Sequence, residues 1–490
     1  MPVELPELAN EQWRLCIGNK WVDSNAGERI PVTTPIDQSE IATVPAGATD
    51  DIDDAYDEAA TAQRKWKEMP PGERAAVLED VTKLLQTHED EIVSTLAIEA
   101  GSTRVKGTIE VENTGNFLEY ASTLPAELRG KVGPSSIPDK ENRIERDPAG
   151  VIGVISPWNF PLSLTMRAVA PAVALGNAVV IKPATETPIT GGLLVAKLFE
   201  MAGLPEGVVN VVTGHGSEIG DRMAAHPDAD VIAFTGSTGV GRHVSKLAAE
   251  QLTEQAMELG GNNPHVVLED ADVDDAVDAG LFGTFLHQGQ VCISLNRHLV
   301  HESIYDEYVE KLATRADKLP VGDPRDSETV IGPIINESQR DELVDYIERT
   351  VAQGGEIETG GGFEDLYLEP TVLSQVTNEM AAACNEHFGP IAPVIPFASD
   401  REAIRLANET EYGLAASVHS GEISRAKDIG DQIEAGMIHI NDQPINSSPR
   451  IPFGGRKASG LGQFNGEAIV KKFTEPKWFS IQTTQRTYPF

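Results

Sequence analysis

The chain has 490 residues, 40% of them hydrophobic, and a formal net charge of −37. That length predicts two or three domains, and that charge argues against nucleic acid or an anionic membrane as a partner. Its three cysteines, Cys16, Cys292 and Cys384, are too widely spaced for a disulfide framework or a zinc site, so no metal is expected and a reducing, cytoplasmic setting is.

The N-terminal run Met1-Pro2-Val3-Glu4-Leu5-Pro6-Glu7 is acidic and has no apolar core, unlike a signal peptide. About the first 125 residues carry mostly helical patterning, with Asp50 expected to cap a helix whose apolar positions include Ile52, Ala55, Tyr56 and Ala59. Segment 128–146, rich in Pro, Gly and polar residues, reads as an excursion of extended chain. From Val151 the rhythm changes. Apolar runs at 151–155, 178–181, 208–212 and 231–234 alternate with helical stretches, including those from Leu162 and Ile189. Such alternation implies βαβ units and a parallel sheet, with ligands beyond the carboxyl ends of its strands. The most apolar window, 162–181, is broken by Arg167, Pro171 and Asn177, so it reads as a buried helix and strand and not as a membrane span. A second alternation begins at His265, with runs at 266–268, 297–301, 391–397, 415–419 and 437–440. The tail from Lys472 carries Phe473, Trp478, Phe479, Ile481 and Tyr488, an apolar surface that needs cover from another subunit.

Acidic residues are spread along the chain in patches such as Asp50-Asp51-Ile52-Asp53-Asp54. Each patch reads as a solvated helix start, where carboxylates are favoured. Taken together they suggest a halophile's cytoplasm, in which molar salt screens self-repulsion.

The chemistry gathers around Cys292, in Gly289-Gln290-Val291-Cys292 after an amphipathic stretch over 271–287. Upstream stand Met257-Glu258-Leu259-Gly260-Gly261 and, earlier, Ile155-Ser156-Pro157-Trp158-Asn159-Phe160-Pro161. A thiol nucleophile, a carboxylate base and an amide donor are the parts needed for covalent catalysis through a thioester. An oxyanion donor such as the Asn159 amide is worth roughly 3 kcal/mol in comparable sites. The stretch Phe234-Thr235-Gly236-Ser237-Thr238-Gly239-Val240-Gly241 follows an expected strand and opens an expected helix, which suits a phosphate. It departs from strict GxGxxG spacing, and a tight structural turn is its alternative. Lys182 ends the run 178–181, where a cofactor would lie. Taken singly, Cys292 reads as a packing cysteine, Glu258 as a helix-end carboxylate, Asn159 as a turn residue and Lys182 as a solvated strand end.

Taken together, these residues resemble the aldehyde dehydrogenase superfamily over essentially the whole chain. The matching segments also include Glu386-His387-Phe388-Gly389-Pro390 and Pro452-Phe453-Gly454-Gly455-Arg456-Lys457-Ala458-Ser459-Gly460. The resemblance implies an α/β fold in three parts. These are a Rossmann-like NAD(P)-binding domain (1–127 and 147–257), an α/β catalytic domain (258–469) and a small β oligomerisation element (128–146 and 470–490). It also implies homodimers or homotetramers. By the same resemblance Cys292 is the nucleophile and Glu258 the base, while Asn159 and the Cys292 backbone N–H form the oxyanion hole. Lys182 binds the adenosine ribose, Gly236 and Ser237 lie near the pyrophosphate, Glu386 holds the nicotinamide ribose, and Phe388 packs near the nicotinamide, with Trp158 among the cofactor residues. The implied reaction oxidises an aldehyde to its acid through a thiohemiacetal and a thioester. A free thiol has a pKa of roughly 8.5, so Cys292 needs activation, which Glu258 or the cationic nicotinamide ring could supply.

One departure concerns the cofactor. Many NAD-preferring members carry a glutamate three residues after the lysine; here that position is Thr185, and Glu186 follows it. Without a carboxylate to repel a 2′-phosphate, NADP or dual use is favoured over NAD alone. The segments around Cys292, Asn441-Asp442-Gln443-Pro444 and Arg486-Thr487-Tyr488-Pro489-Phe490 look like those of benzaldehyde and vanillin dehydrogenases. Phe160 and Phe453 match positions that often line the substrate tunnel, and aromatic walls suit an aryl aldehyde. The alternative substrate is a succinic or 2-oxoglutarate semialdehyde, which needs a cation near the tunnel mouth. Arg167 is the candidate, its plainer role being helix packing or a surface ion pair. A CoA-acylating variant fits less well, because Glu258 is present to activate water. A non-catalytic protein of this fold would be expected to lose Cys292, Glu258 or Asn159, and all three stand.

Overall fold

The computed structural model describes residues 6–9, 12–128 and 130–490. Two large sheets, each covered by helices, carry the chain. The first runs in the order Lys20–Val22, Leu15–Ile17, Val209–Val211, Ala178–Lys182, Val151–Ile155, Val231–Thr235, Glu254–Glu258, Gly460–Leu461. Its five central strands are parallel, and the short strands at its two edges are antiparallel. Every residue of Val151–Ile155 and Ala178–Lys182 is buried, as expected where helices cover both faces of a sheet.

Register decides what this sheet offers. Ile155 pairs with Lys182 on one side and Phe234 on the other, and Thr235 pairs with Glu258. Four parallel strands therefore end level, and the Ser156–Asn159 loop, Lys182, Gly236 and Glu258 emerge at one edge. The helix Pro161–Ala174 follows that loop. Proline occupies its first turn, where the missing N–H costs nothing, and nearly all of its residues are buried.

The second sheet has the order Glu356–Thr359, Thr371–Ser374, Ile391–Phe397, Leu295–His301, Asn263–Val267, Ala415–His419, Met437–Ile440. All its pairings are parallel except the first. Asp272 caps the helix Val273–Phe285 by accepting from the N–H groups of Asp274 and Asp275. Next comes a left-handed turn, with φ of 51° at His287, 56° at Gln288 and 71° at Gly289. Two consecutive non-glycine residues in that region are costly and need outside support. Gln288 supplies it, its amide donating to the carbonyls of Pro333 at 2.9 Å and Gly101 at 3.1 Å. At Gly289 a Cβ would fall 2.1 Å from the Gly389 carbonyl oxygen, so only glycine fits. This turn delivers Cys292.

A third, antiparallel sheet joins Lys131–Gly133, Lys140–Pro148 and Thr474–Gln482. It leaves Val132, Ile144, Trp478, Phe479 and Ile481 exposed.

The N-terminal part differs from the helical expectation. Four strands between Leu15 and Pro45 precede the helix Thr49–Trp66. Two of them span three residues and show no period, but Arg29–Thr33 alternates exposed and buried positions, a strand signal that the helical reading passed over. Nor does Asp50 cap that helix. Ala48 occupies the cap position, and the neighbouring carboxylate of Asp51 reaches back to accept from the Ala48 N–H at 2.8 Å and the Ser24 hydroxyl at 2.7 Å. Among the described residues, no helix is long and apolar enough to cross a membrane.

Candidate active site

Two cavities meet at Cys292. One, of about 440 Å³, is lined by Trp158, Asn159, Gly236, Ser237, Glu258, Cys292, Glu386 and Phe388, among others. The other, of about 330 Å³, shares Asn159 and Cys292 and adds Phe160, Arg167 and Phe453. A third cavity, of about 440 Å³, shares Ile155, Phe234 and Val240 with the first and reaches Lys182, Gly216 and Gly239. The thiol thus stands between a long polar-ended trough and a mostly apolar pocket.

The side-chain amide of Asn159 donates to the Gln290 carbonyl at 2.9 Å. Glu258 is buried, and neither of its carboxylate oxygens has a hydrogen-bond partner. Burial pushes its carboxyl up to about 8, against the pull of the Arg167 guanidinium. Burial also pushes the Cys292 thiol up to about 12; Arg167 draws it down, while Glu258 and Glu386 raise it further. An ionised Glu258 therefore works against the thiolate, and the protein's own cation acting on it is Arg167.

Arg167 is not a surface residue, which corrects the ion-pair reading. It is 3% exposed, and its guanidinium carbon lies 4.7 Å from the ring centres of both Phe453 and Phe464. One terminal nitrogen donates to the Thr235 hydroxyl at 3.4 Å, Nε has no partner, and Arg167 makes no ion pair among the described residues. The helix holds it there because Pro161–Ala174 is buried on nearly every side.

On the trough side, Glu386 Oε1 accepts from the Gly261 N–H at 2.8 Å, and burial pushes its carboxyl up to about 7. A Cβ at Gly260 would come within 2.0 Å of Glu386 Oε2. Trp158 and Phe388 meet edge-on, with ring centres 5.4 Å apart. Lys182 is buried, its ammonium drawn down to about 8 by desolvation and donating to the Pro183 carbonyl at 3.0 Å. Ser237 occupies the cap position of the helix Thr238–Glu250 without capping it by its side chain, which leaves the first amides of that helix as donors. A Cβ at Gly216 or Gly239 would meet nothing within 4 Å, so the backbone there stands open to the cavity. Open backbone, free helix-start amides, one lysine and one carboxylate are a donor and acceptor set that fits a dinucleotide with its phosphates and riboses.

The sequence profile of the aldehyde dehydrogenase family matches residues 21–479. The chain belongs to the aldehyde dehydrogenase family. This aldehyde dehydrogenase is 44% identical over 484 residues to benzaldehyde dehydrogenase YfmT of Bacillus subtilis, covering 99% of each chain. It is 44% identical over 468 residues to the vanillin dehydrogenase of Corynebacterium glutamicum, covering 95% of this chain and 97% of the relative. Its fold matches the betaine aldehyde dehydrogenase of Staphylococcus aureus solved with NAD+, with a TM-score of 0.95, 32% identity and coverage of 99% and 97%. It is an NAD(P)-dependent oxidoreductase of the aldehyde dehydrogenase fold.

Two features of the dehydrogenase differ from the residue set read in the sequence. Thr185 does not line these three cavities, and its hydroxyl donates to the Gly214 carbonyl at 3.4 Å. The apolar pocket also has walls that went unnoticed: Ile109, Asn113, Phe117 and Ile445. The first three recur every fourth residue on the helix Arg104–Glu127. In sequence such a face cannot be told from a packing face.

Proposed function

We propose that this enzyme oxidises an aromatic aldehyde to its carboxylate through a thioester on Cys292. The observation that carries the reading is the pocket bounded by Phe117, Phe160 and Phe453, with Asn159 and Cys292 in its wall. A flat aryl ring buries well against such walls, and the relatives named for benzaldehyde and vanillin support the same class.

The thiolate of Cys292, favoured by Arg167, adds to the aldehyde carbon, and the carbonyl electron pair moves onto oxygen. Asn159 and the Cys292 backbone N–H receive that oxyanion. A bound nicotinamide cofactor supplies the acceptor for the hydride that leaves the same carbon. Glu258 then takes a proton from water, the hydroxide adds to the thioester, and the acid departs as the sulfur leaves. A base at about 8 is well matched to that task, since general bases work best near the operating pH. Lys182 would hold the adenosine ribose, Gly236 and Ser237 the pyrophosphate, and Glu386 the nicotinamide ribose, with Phe388 and Trp158 against the ring. NADP or dual use is favoured, because Thr185 presents no carboxylate to a 2′-phosphate.

We assign residues 1–127 and 147–257 to cofactor binding, 258–469 to catalysis, and 128–146 with 470–490 to assembly into homodimers or homotetramers, in a cytoplasm of high salt. A semialdehyde is the second reading, favoured by Arg167, a cation without an ion-pair partner among the described residues that lines the same pocket.

The test is the initial rate at 340 nm in molar KCl, with benzaldehyde, vanillin, succinic semialdehyde and acetaldehyde, each with NAD and with NADP. Fast turnover of the aryl aldehydes, lost in Cys292→Ala, is expected. Turnover confined to the semialdehyde would replace the substrate assignment, and full activity in Cys292→Ala would end the mechanism.

A further inference from the structure

Beneath the Asn159 corner lies a buried ion pair. Lys106 and Glu110 sit one turn apart on the helix Arg104–Glu127, both fully buried, with Nζ 2.5 Å from Oε2. The other carboxylate oxygen of Glu110 accepts from the N–H groups of Leu162 at 2.9 Å and Ser163 at 3.2 Å. These are first-turn amides of the helix Pro161–Ala174, which need an acceptor and receive none from a side chain at their own cap, Phe160. Glu110 therefore caps that helix from a different one.

Lys106 reaches the other side of the same corner. Its ammonium donates to the Ser102 hydroxyl at 2.9 Å and stands 4.3 Å above the Phe160 ring. Phe160 in turn meets His287 edge-on at 5.6 Å, in the left-handed turn that delivers Cys292. Burial and the Lys106 charge push the His287 imidazole well below its ordinary value, opposed by the Asn159 backbone; neither ring nitrogen makes a hydrogen bond of full geometry. The Asn159–Gln290 hydrogen bond closes the circuit. A buried ion pair adds little net stability over a well-packed apolar pair, so stability alone does not account for this one.

We propose that Lys106 and Glu110 are positioning residues for the oxyanion site: Glu110 fixes the backbone that carries Asn159, and Lys106 seats Phe160 against the turn that carries Cys292. The proposal rests on the reading of Asn159 as the oxyanion donor. Neither residue touches the reacting atoms.

The test compares Lys106→Met/Glu110→Leu, which removes both charges and the acceptor, with Lys106→Met/Glu110→Gln, which keeps an acceptor for Leu162 and Ser163. The single-turnover rate of NAD(P)H formation is read at saturating aldehyde, together with the cofactor Kd from fluorescence quenching. The leucine variant should lose about 30-fold in rate with its cofactor Kd unchanged, while the glutamine variant recovers the share that Glu110 contributes and keeps the loss due to Lys106→Met, about threefold or more. A leucine variant within about threefold of wild type at a temperature where circular dichroism shows it folded would overturn the proposal, as would equal losses in both variants. Should the leucine variant not fold, Glu110→Asp, which keeps the charge and withdraws the acceptor, should still slow the step by about fivefold or more, and an unchanged rate overturns. Hydrogen exchange of residues 157–164 separates this proposal from the functional reading. If the wild type oxidises no aldehyde, the functional reading falls. Faster exchange confined to that segment in Glu110→Asp would still uphold the positioning, and unchanged exchange would overturn it.

Discussion

The side-chain amide of Asn159 donates to the backbone carbonyl of Gln290 at 2.9 Å, just ahead of Cys292. An amide nitrogen carries two donors. One is used for orientation, and the second remains for an oxygen formed at Cys292. Asn159→Ala removes both and should lower kcat by about 10²–10³. Asn159→Asp should do worse, since it sets an acceptor against the Gln290 carbonyl and a negative charge against the oxyanion. Pre-steady-state rates of NAD(P)H formation measure both, and an alanine variant with near-normal rates would remove Asn159 from the site.

Glu258 yields a paired prediction. Its carboxyl is raised from an ordinary 4.5 to about 8 by burial. The folded value lies above the unfolded one, so the stability it contributes is full below about 4.5 and gone above about 8. Glu258→Gln should therefore gain in Tm over wild type as pH rises across that window and hold a constant advantage beyond it. The same variant should release one equivalent of NAD(P)H per site and then stall, because the thioester has no base to activate water. Wild-type turnover should climb through about pH 8. Steady turnover by the glutamine variant without a burst would refute the role.

Arg167 lowers both the Cys292 thiol and the Glu258 carboxyl. Arg167→Met should raise both, slowing alkylation of Cys292 by iodoacetamide at pH 8 by about tenfold and moving the activity profile to higher pH by about one unit. Lysine restores the charge but not the flat cation between Phe453 and Phe464, so Arg167→Lys should fall between. An alkylation profile unchanged in the methionine variant would leave Arg167 a packing residue.

Cofactor choice is tested at Thr185. A glutamate there would repel a 2′-phosphate and accept from a 2′-hydroxyl, so Thr185→Glu should shift the ratio of kcat/KM toward NAD by about tenfold. The Thr185 hydroxyl is tied to the Gly214 carbonyl at 3.4 Å, so the glutamate must turn away from that contact to act. Equal cofactor ratios in the two proteins would count against the assignment.

The net charge of −37 should make the enzyme depend on salt. Screening acts over roughly 30 Å at 0.01 M and roughly 3 Å at 1 M. Tm should drop at low salt, and sedimentation should show the assembly coming apart. Trp478→Lys on the exposed strand Thr474–Gln482 should favour the smaller species at molar salt as well. The same Tm and mass across this range would argue against both ideas.

Much of this was legible in the sequence, for a physical reason. Strands such as Val151–Ile155 and Ala178–Lys182 are buried on both faces and so read as short apolar runs, 151–155 and 178–181. Strand ends in a parallel sheet share one edge, so Lys182 and Gly236 could be grouped before any geometry was known; Glu258, read singly as a helix-end carboxylate, instead ends the strand Glu254–Glu258 beside them. The short strands Leu15–Ile17 and Gly460–Leu461 were not legible, being three and two residues long and paired with Val209–Val211 and Glu254–Glu258 across large separations. Nor was Arg167 as the cation beside Cys292: its surroundings come from Phe453, Phe464 and Thr235, all remote in sequence. Burial, which no local pattern encodes, raises Glu258 and Cys292 as far as it does.

That burial has a consequence for how long the protein survives. Hydrogen peroxide and other electrophilic oxidants attack the thiolate and largely ignore the thiol. A sulfur held up to about 12 is almost wholly protonated at neutral pH. Between encounters with substrate the nucleophile is thus shielded from sulfenic acid formation by its own poor acidity. The exposed Cys384, by contrast, is open to the same oxidants. In an oxidising episode the enzyme should be marked at Cys384 well before it is inactivated at Cys292.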